Sequence, residues 1–118
     1  MKKKIAILGS TGSIGKSTLE VIKKDKKNFE IVLLTANNNY KKLIHQAKEF
    51  KAKNVLINNK KFFLKVKNSL KKAKVYSGDV SINKIILKLF KSFFTISKVD
   101  FPIDPVDPKI AIFFFIRE

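Results

Sequence analysis

The sequence predicts an α/β fold, a doubly wound parallel sheet with helices laid over it. Apolar patterning alternates between short unbroken runs and runs with a helical repeat, from residue 4 to residue 93. The connections between runs are a few residues long, which leaves no room for antiparallel hairpins and implies right-handed crossovers between parallel strands. A glycine-rich turn separates the first apolar run from the first helical one.

Each element follows from its own pattern. Residues 4–8 form a short apolar run that ends at a glycine and read as a buried strand. In residues 14–24, Ile14, Thr18, Leu19, Val21 and Ile22 recur at helical spacing. Residues 29–35 are rich in the side chains that a pleated surface accepts and read as a second strand. Tyr40, Leu43, Ile44, Ala47 and Phe50 mark one face of a second helix. Val55, Leu56 and Ile57 give a brief third strand, and Phe62, Phe63, Val66 and Leu70 a third helix. Residues 74–77 are a fourth strand stopped by Gly78, and Ile82, Ile85, Ile86, Leu89 and Phe93 mark a fourth helix.

At 118 residues the chain is one domain, and folding buries roughly 65% of the surface that an open chain of this size exposes. An apolar content of 45% argues against wholesale disorder. No cysteine is present, which removes disulfides, thiolate metal sites and a cysteine nucleophile, and suits a reducing compartment. The longest apolar run, residues 110–116, falls far short of the ~20 residues that span a bilayer. No membrane partner is expected. The three lysines after Met1 lead into a run too short for a secretory signal, so a cytoplasmic protein without a leader is expected.

The net charge is +17, from 26 basic and 9 acidic residues. Such a balance raises nucleic acid as a partner. However, every cation but Arg117 is lysine, whereas groove and phosphate readers favour the bidentate guanidinium. The lysines are also spread along the chain, and Asn, Ile and Phe are abundant with them. A solvated lysine surface fits this distribution better than a nucleic-acid interface, although a lysine-rich α/β nucleic-acid-binding module stays open as an alternative.

The chemistry concentrates in Gly9, Ser10, Thr11, Gly12, Ser13, Ile14 and Gly15, between the first strand and the first helix. A strand-to-helix turn points free backbone amides and the positive helix end outward together, which makes an anion site without any basic side chain. Gly9 suits the chain reversal, Gly12 the close approach of a diphosphate, and Gly15 the packing of helix on strand. Ser10, Thr11 and Ser13 add hydroxyl donors, and Ser13 is placed to cap the helix. Two nucleotide readings compete. The spacing is G-x-x-G-x-x-G, one residue longer than the commoner dinucleotide turn. The run Gly15, Lys16, Ser17 suggests a P-loop, but the glycine that a P-loop needs falls at Ser10, and no strand ends in an Asp to hold magnesium. A structural glycine turn without a ligand is the third possibility.

The second strand runs into Asn37, Asn38 and Asn39 with no carboxylate to hold the two ribose hydroxyls of NAD. Glu30 stands at the wrong end of that strand. The missing acid permits the extra phosphate of NADP, and the three Asn with Lys41 and Lys42 offer donors and positive charge. Asn is also at home in a solvated turn. NADPH is the favoured dinucleotide.

Residues 94–118 depart from the pattern. Residues 1–98 carry 24 lysines and 5 acids, whereas residues 99–118 carry 2 cations and 4 acids, together with Pro102, Pro105 and Pro108. This tail starts extended, and its apolar end, residues 110–116, is either an edge strand added to the sheet or an unsupported, aggregation-prone end. Asp100, Asp104 and Asp107 are held apart by the prolines, so no metal site is expected there. His45 lies off the apolar face of its helix and has no triad to join.

The run from Ile7 to Gly15, with Ser17, Thr18, Leu19, Val21 and Ile22, resembles the opening of the 1-deoxy-D-xylulose 5-phosphate reductoisomerase family. The likeness continues through Leu33, Leu34, Thr35, Ala36, Asn39, Leu43, Gln46 and Phe50 to Ser77 and Gly78, and fades after residue 93. The resemblance implies a Rossmann-like NADPH-binding domain over residues 1–93. It belongs to a homodimeric enzyme of isoprenoid-precursor synthesis that rearranges 1-deoxy-D-xylulose 5-phosphate and reduces it to 2-C-methyl-D-erythritol 4-phosphate, using NADPH with Mg or Mn. It further implies that Thr11, Gly12, Ser13 and Ile14 lie in the cofactor turn, and that Asn37, Asn38 and Asn39 lie near the adenosine ribose phosphate. There the family often carries Gly and a basic residue, so Asn37 and Asn38 depart from it. The family's Asn-Lys-Glu segment, metal-binding carboxylates and catalytic domain have no counterpart here. The expectation is therefore an incomplete dinucleotide-binding domain, inactive alone, with no catalytic or metal residue of its own. A non-functional remnant is the remaining alternative.

Overall fold

A computed structural model describes residues 3–78, Lys84, Ile85, Lys88 and the strand 112–115. The elements in order are β1 (Lys3–Ile7), α1 (Ser13–Lys23), a 3-10 turn (Lys26–Asn28), β2 (Phe29–Ala36), α2 (Tyr40–Phe50), β3 (Asn54–Ile57), a 3-10 turn (Lys60–Phe62), α3 (Phe63–Ser69), β4 (Lys74–Ser77) and β5 (Ile112–Phe115). The sheet order is β4-β3-β2-β1-β5. The first four strands are parallel, as the short connections require, and β5 pairs antiparallel with β1, Ile5 opposite Phe114. Of the fourth helix expected after Gly78, only Lys84, Ile85 and Lys88 are described; they are helical, and Ile85 is buried. The rest of that helix and the aspartates of the tail lie outside the described residues.

Both faces of the sheet are buried over β1, β2 and β3. Ile5, Ile7, Ile31, Leu34, Ala36, Val55 and Ile57 pack in one cluster with Leu19 and Ile22 of α1, Leu43 and Ala47 of α2, and Val66 of α3. On the alternate positions Ala6, Leu33 and Leu56 are equally inaccessible. This explains why the strands read as continuous apolar runs and not as alternating ones. In α1 the buried stripe is Gly15, Leu19 and Ile22, whereas Ile14 and Val21, expected on the apolar face, are exposed.

The register between β1 and β2 slips between Ile5 and Ala6: Ile5 faces Ile31, but Ala6 faces Leu33, which leaves Val32 as an extra residue. Such a bulge orphans backbone groups on the swollen strand. Here the carbonyl of Val32 accepts a 2.8 Å hydrogen bond from Nδ2 of Asn54, itself buried at the start of β3. One amide side chain therefore makes the irregularity tolerable in an interior without water.

The lysines are distributed over the surface, and several lie across rings. Lys65 sits above both Tyr40 and Phe62, which stack on one another at 4.5 Å, while Lys26 covers Phe50 and Lys67 covers Phe63. Their alkyl stems shield half-buried aromatics while the ammonium groups stay in water. Lys23 and Glu49 join α1 to α2 at 2.9 Å, and Lys53 pairs with Glu30 at the end of the sheet away from the glycine turn. No helix among the described residues is long and apolar enough to cross a membrane.

Two expectations follow. Asn54→Ala strands the Val32 carbonyl without a donor and costs about 1–3 kcal/mol, read as a lower denaturant midpoint at unchanged slope. The Lys23 ammonium, by its hydrogen bond, holds the Glu49 carboxyl below its usual range, and Glu49 in turn raises Lys23. A depressed carboxyl contributes stability above its unfolded-state pKa and loses it as pH falls through the folded-state value. Glu49→Gln should therefore flatten the acid side of a melting-temperature profile, and salt should shrink the difference because the pair is exposed.

Candidate functional site

The turn after β1 is held by β2. Gly9 adopts φ 73°, the left-handed conformation that favours glycine, and bends the chain out of the strand. Its amide donates to the hydroxyl Oγ1 of Thr35 at 2.9 Å. The next amide, Ser10, donates to the Thr35 carbonyl at 2.9 Å, and that carbonyl also accepts from the Ser10 hydroxyl at 3.3 Å. From the other side, Nε2 of Gln46 on α2 donates to the Ser10 carbonyl at 2.9 Å. Ser10 is wholly inaccessible. Its hydroxyl, expected to offer a donor to phosphate, is turned inward instead and belongs to the scaffold.

Beyond Ser10 the chain turns again, with the Gly12 amide donating to the Gly9 carbonyl at 3.0 Å, and α1 begins. The N-cap is Gly12 and not Ser13, and no side chain caps the helix. Ser13 already has helical geometry, so it cannot fill the capping role that the sequence suggested. The first helical hydrogen bond runs from Lys16 to the Gly12 carbonyl. The amides of Ser13, Ile14 and Gly15 consequently donate to nothing among the described residues. Three unpaired donors stand at the positive end of an 11-residue helix, and Gly12, Ser13 and Ile14 are exposed there.

The three glycines do different work. A Cβ on Gly15 would come within 2.6 Å of the Gly9 carbonyl and of two Ser10 backbone atoms, so the helix can sit this close only with a bare backbone. A Cβ on Gly12 would meet just the Gly9 carbonyl, at an ordinary 3.4 Å. The space above Gly12 is therefore open to a ligand and not filled by the fold.

Asn37, Asn38 and Asn39 follow β2 at the same edge of the sheet, and all three are exposed. Asn39 caps α2 by accepting from the Lys42 amide at 3.3 Å. Asn38 and the Asn37 carbonyl are tied to Asn59 after β3, by hydrogen bonds of 2.9 and 3.0 Å. Gly78, after β4, packs on Asn58 so closely that a side chain would collide with it. Thus the loops after β1, β2, β3 and β4 converge on one edge of the sheet, where parallel α/β sheets carry their ligands. Glu30 lies at the other end, paired with Lys53. His45 is exposed, 3.9 Å from Glu49. No group of three His, Asp or Glu side chains gathers among the described residues.

Thr35, Gln46 and Asn59 are the residues that sequence reasoning missed as parts of the site. Thr35 and Gln46 are polar positions on otherwise apolar surfaces, a threonine closing a buried strand and a glutamine between Leu43 and Ala47. Nothing in the local pattern marks Asn59.

Residues 5–93 match the family described as 1-deoxy-D-xylulose 5-phosphate reductoisomerase. The chain is 52% identical over 101 residues to the 1-deoxy-D-xylulose 5-phosphate reductoisomerase of Pelagibacter ubique, which covers 84% of this chain and 24% of that protein. It is 43% identical over 88 residues to that of Phocaeicola vulgatus, covering 73% and 23%. Among solved structures, it resembles the reductoisomerase from Zymomonas mobilis in complex with NADPH, with a TM-score of 0.66, 28% identity, and coverage of 75% of this chain and 23% of that one. It also resembles DOX-P reductoisomerase in complex with NADPH, fosmidomycin and magnesium, at a TM-score of 0.63 and 25% identity, with coverage of 74% and 21%. The chain spans about a quarter of the length of these relatives. With its parallel sheet and glycine turn in place, the chain belongs to the 1-deoxy-D-xylulose 5-phosphate reductoisomerase family and corresponds to that family's N-terminal region.

Proposed function

We propose that this chain binds NADPH, with the diphosphate over residues 9–15 and the adenosine ribose phosphate beside Asn37, Asn38 and Asn39. One observation carries the reading: the amides of Ser13, Ile14 and Gly15 are unpaired on a turn that Thr35 and Gln46 hold rigid. Donors fixed before the ligand arrives lose little freedom on binding, and they suit a diphosphate better than a neutral group. The open space above Gly12 lets that diphosphate reach the backbone. The absence of a carboxylate at the end of β2 suits a phosphorylated ribose. A solved relative of the same fold holds NADPH.

When bound, NADPH supplies a hydride, and this chain's residues hold and orient the nucleotide that carries it. Reduction needs a substrate fixed against the nicotinamide and a metal ion beside it. The described residues bring no such donor set together, so the reading assigns them neither the metal nor 1-deoxy-D-xylulose 5-phosphate. The chain spans 24% of the length of its Pelagibacter ubique relative, and the reading leaves both to the remainder. Supplied alone with NADPH, 1-deoxy-D-xylulose 5-phosphate and Mg or Mn, the chain is expected to give no turnover. Steady oxidation of NADPH at 340 nm that depends on the sugar phosphate would contradict this.

Binding itself is tested by fluorescence titration with NADPH. Saturable binding is expected, and Gly12→Asp should weaken it at least ~10-fold by setting a carboxylate among the phosphate donors. Gly12→Ala tests whether the fold survives a side chain at this position, because its Cβ meets only one atom at an ordinary distance. Equal affinity of the wild type and Gly12→Asp, or no saturation by either, would remove the reading.

A further inference from the structure

We infer that Asn59 sets the preference of this chain for a phosphorylated adenosine ribose, by holding the Asn38 side-chain oxygen and leaving its amide as the group free to donate. The inference rests on the NADPH reading above.

The argument is a chain of forced assignments. The Lys61 amide is a donor and nothing else, so the atom of Asn59 that it meets at 3.0 Å must be the oxygen, Oδ1. The other end of the same side chain is then Nδ2, which donates to Asn38 at 2.9 Å. The receiving atom of Asn38 must be Oδ1, which leaves its Nδ2 outside this hydrogen bond. Asn39 is fixed in the same sense, because the Lys42 amide donates to its Oδ1 at 3.3 Å. Neither Nδ2 group donates to any atom among the described residues. A second hold comes from the Asn59 amide, which donates to the Asn37 carbonyl at 3.0 Å and pins the loop from below.

The exposed edge therefore holds two amide donors from adjacent residues, with both side-chain oxygens engaged by neighbouring N–H groups. A phosphate monoester accepts only, is charged, and makes stronger hydrogen bonds with such donors than a neutral hydroxyl does. An unphosphorylated ribose is held best by a carboxylate that accepts from its hydroxyls, and this edge offers none. An asparagine free to rotate could turn its oxygen outward and serve either ribose. Asn59 removes that choice, and so acts as a positioning residue through Asn38.

The test compares the dissociation constants of the full chain for NADPH and NADH, which differ only in the ribose phosphate, by fluorescence titration. The wild type is expected to prefer NADPH at least ~10-fold, the size of one or two charge-assisted hydrogen bonds. Asn59→Ser keeps an oxygen for the Lys61 amide but cannot reach Asn38 with an amide, and should cut the ratio about tenfold, chiefly through weaker NADPH binding. Asn38→Asp, which shows a carboxylate at the same place, should invert it. A purely structural role for Asn59 would weaken both nucleotides alike and leave the ratio where it was, which overturns the inference. A wild type that binds both equally also overturns it while the dinucleotide reading stands. Binding of neither overturns that reading and this inference together.

Discussion

The contact between Thr35 and the first two residues of the glycine turn is the constraint on which the rest depends. Thr35 stands near the end of β2, the strand between β1 and β3, and receives three donors from Gly9 and Ser10. With the turn fixed at its entrance, the missing Cβ of Gly15 lets α1 settle against it, and the first amides of that helix stay aimed at open space. Each step is needed for the next. A side chain at position 15 would push the helix away, and an unanchored turn would let the amides find partners of their own. The proposed anion site rests on this contrast: the backbone of Gly9 and Ser10 is held by Thr35 and Gln46, while the first amides of α1 are left alone.

Most of the frame was legible in the sequence. The second helix and fourth strand have the bounds that their patterns gave, and the other elements before Gly78 differ by a residue or two, because apolar periodicity records burial directly. The three glycines were also readable, each through a different requirement: a left-handed bend, room above the backbone, a close helix contact. What could not be read is what depends on distant partners. Ser10 looks like a phosphate donor beside Thr11 and Ser13, and only the sheet, which brings Thr35 up to it from 25 residues away, turns its hydroxyl inward. Ser13 looks like a cap, yet α1 starts one residue earlier than its pattern suggested, and glycine takes that place. The inward stripe of α1 was misjudged because Ile14 and Val21 are apolar without being buried.

The lysine excess also takes on a physical meaning. Read as composition, +17 suggests a polyanion partner. In the structure many of these side chains lie along helices and over half-buried rings, with Lys65 covering two of them at once. They serve as flexible lids on aromatic edges. The anion site proposed at residues 9–15 is built from backbone, and the second from asparagine amides. Positive side chains are abundant, but the selectivity argued for this chain does not come from them.

The extra residue in β2 ties two distant positions of the chain together. Val32 swells the strand, and Asn54, 22 positions later, exists in a buried place to receive what the swelling leaves over. Neither state is comfortable without the other. A lineage that lost the inserted residue would regain an unbroken ladder but keep an amide with nothing to hold, and one that replaced the asparagine would keep a gap in the ladder. Strand length and the identity of position 54 are thus coupled through one hydrogen bond, and a change at either is felt at the other.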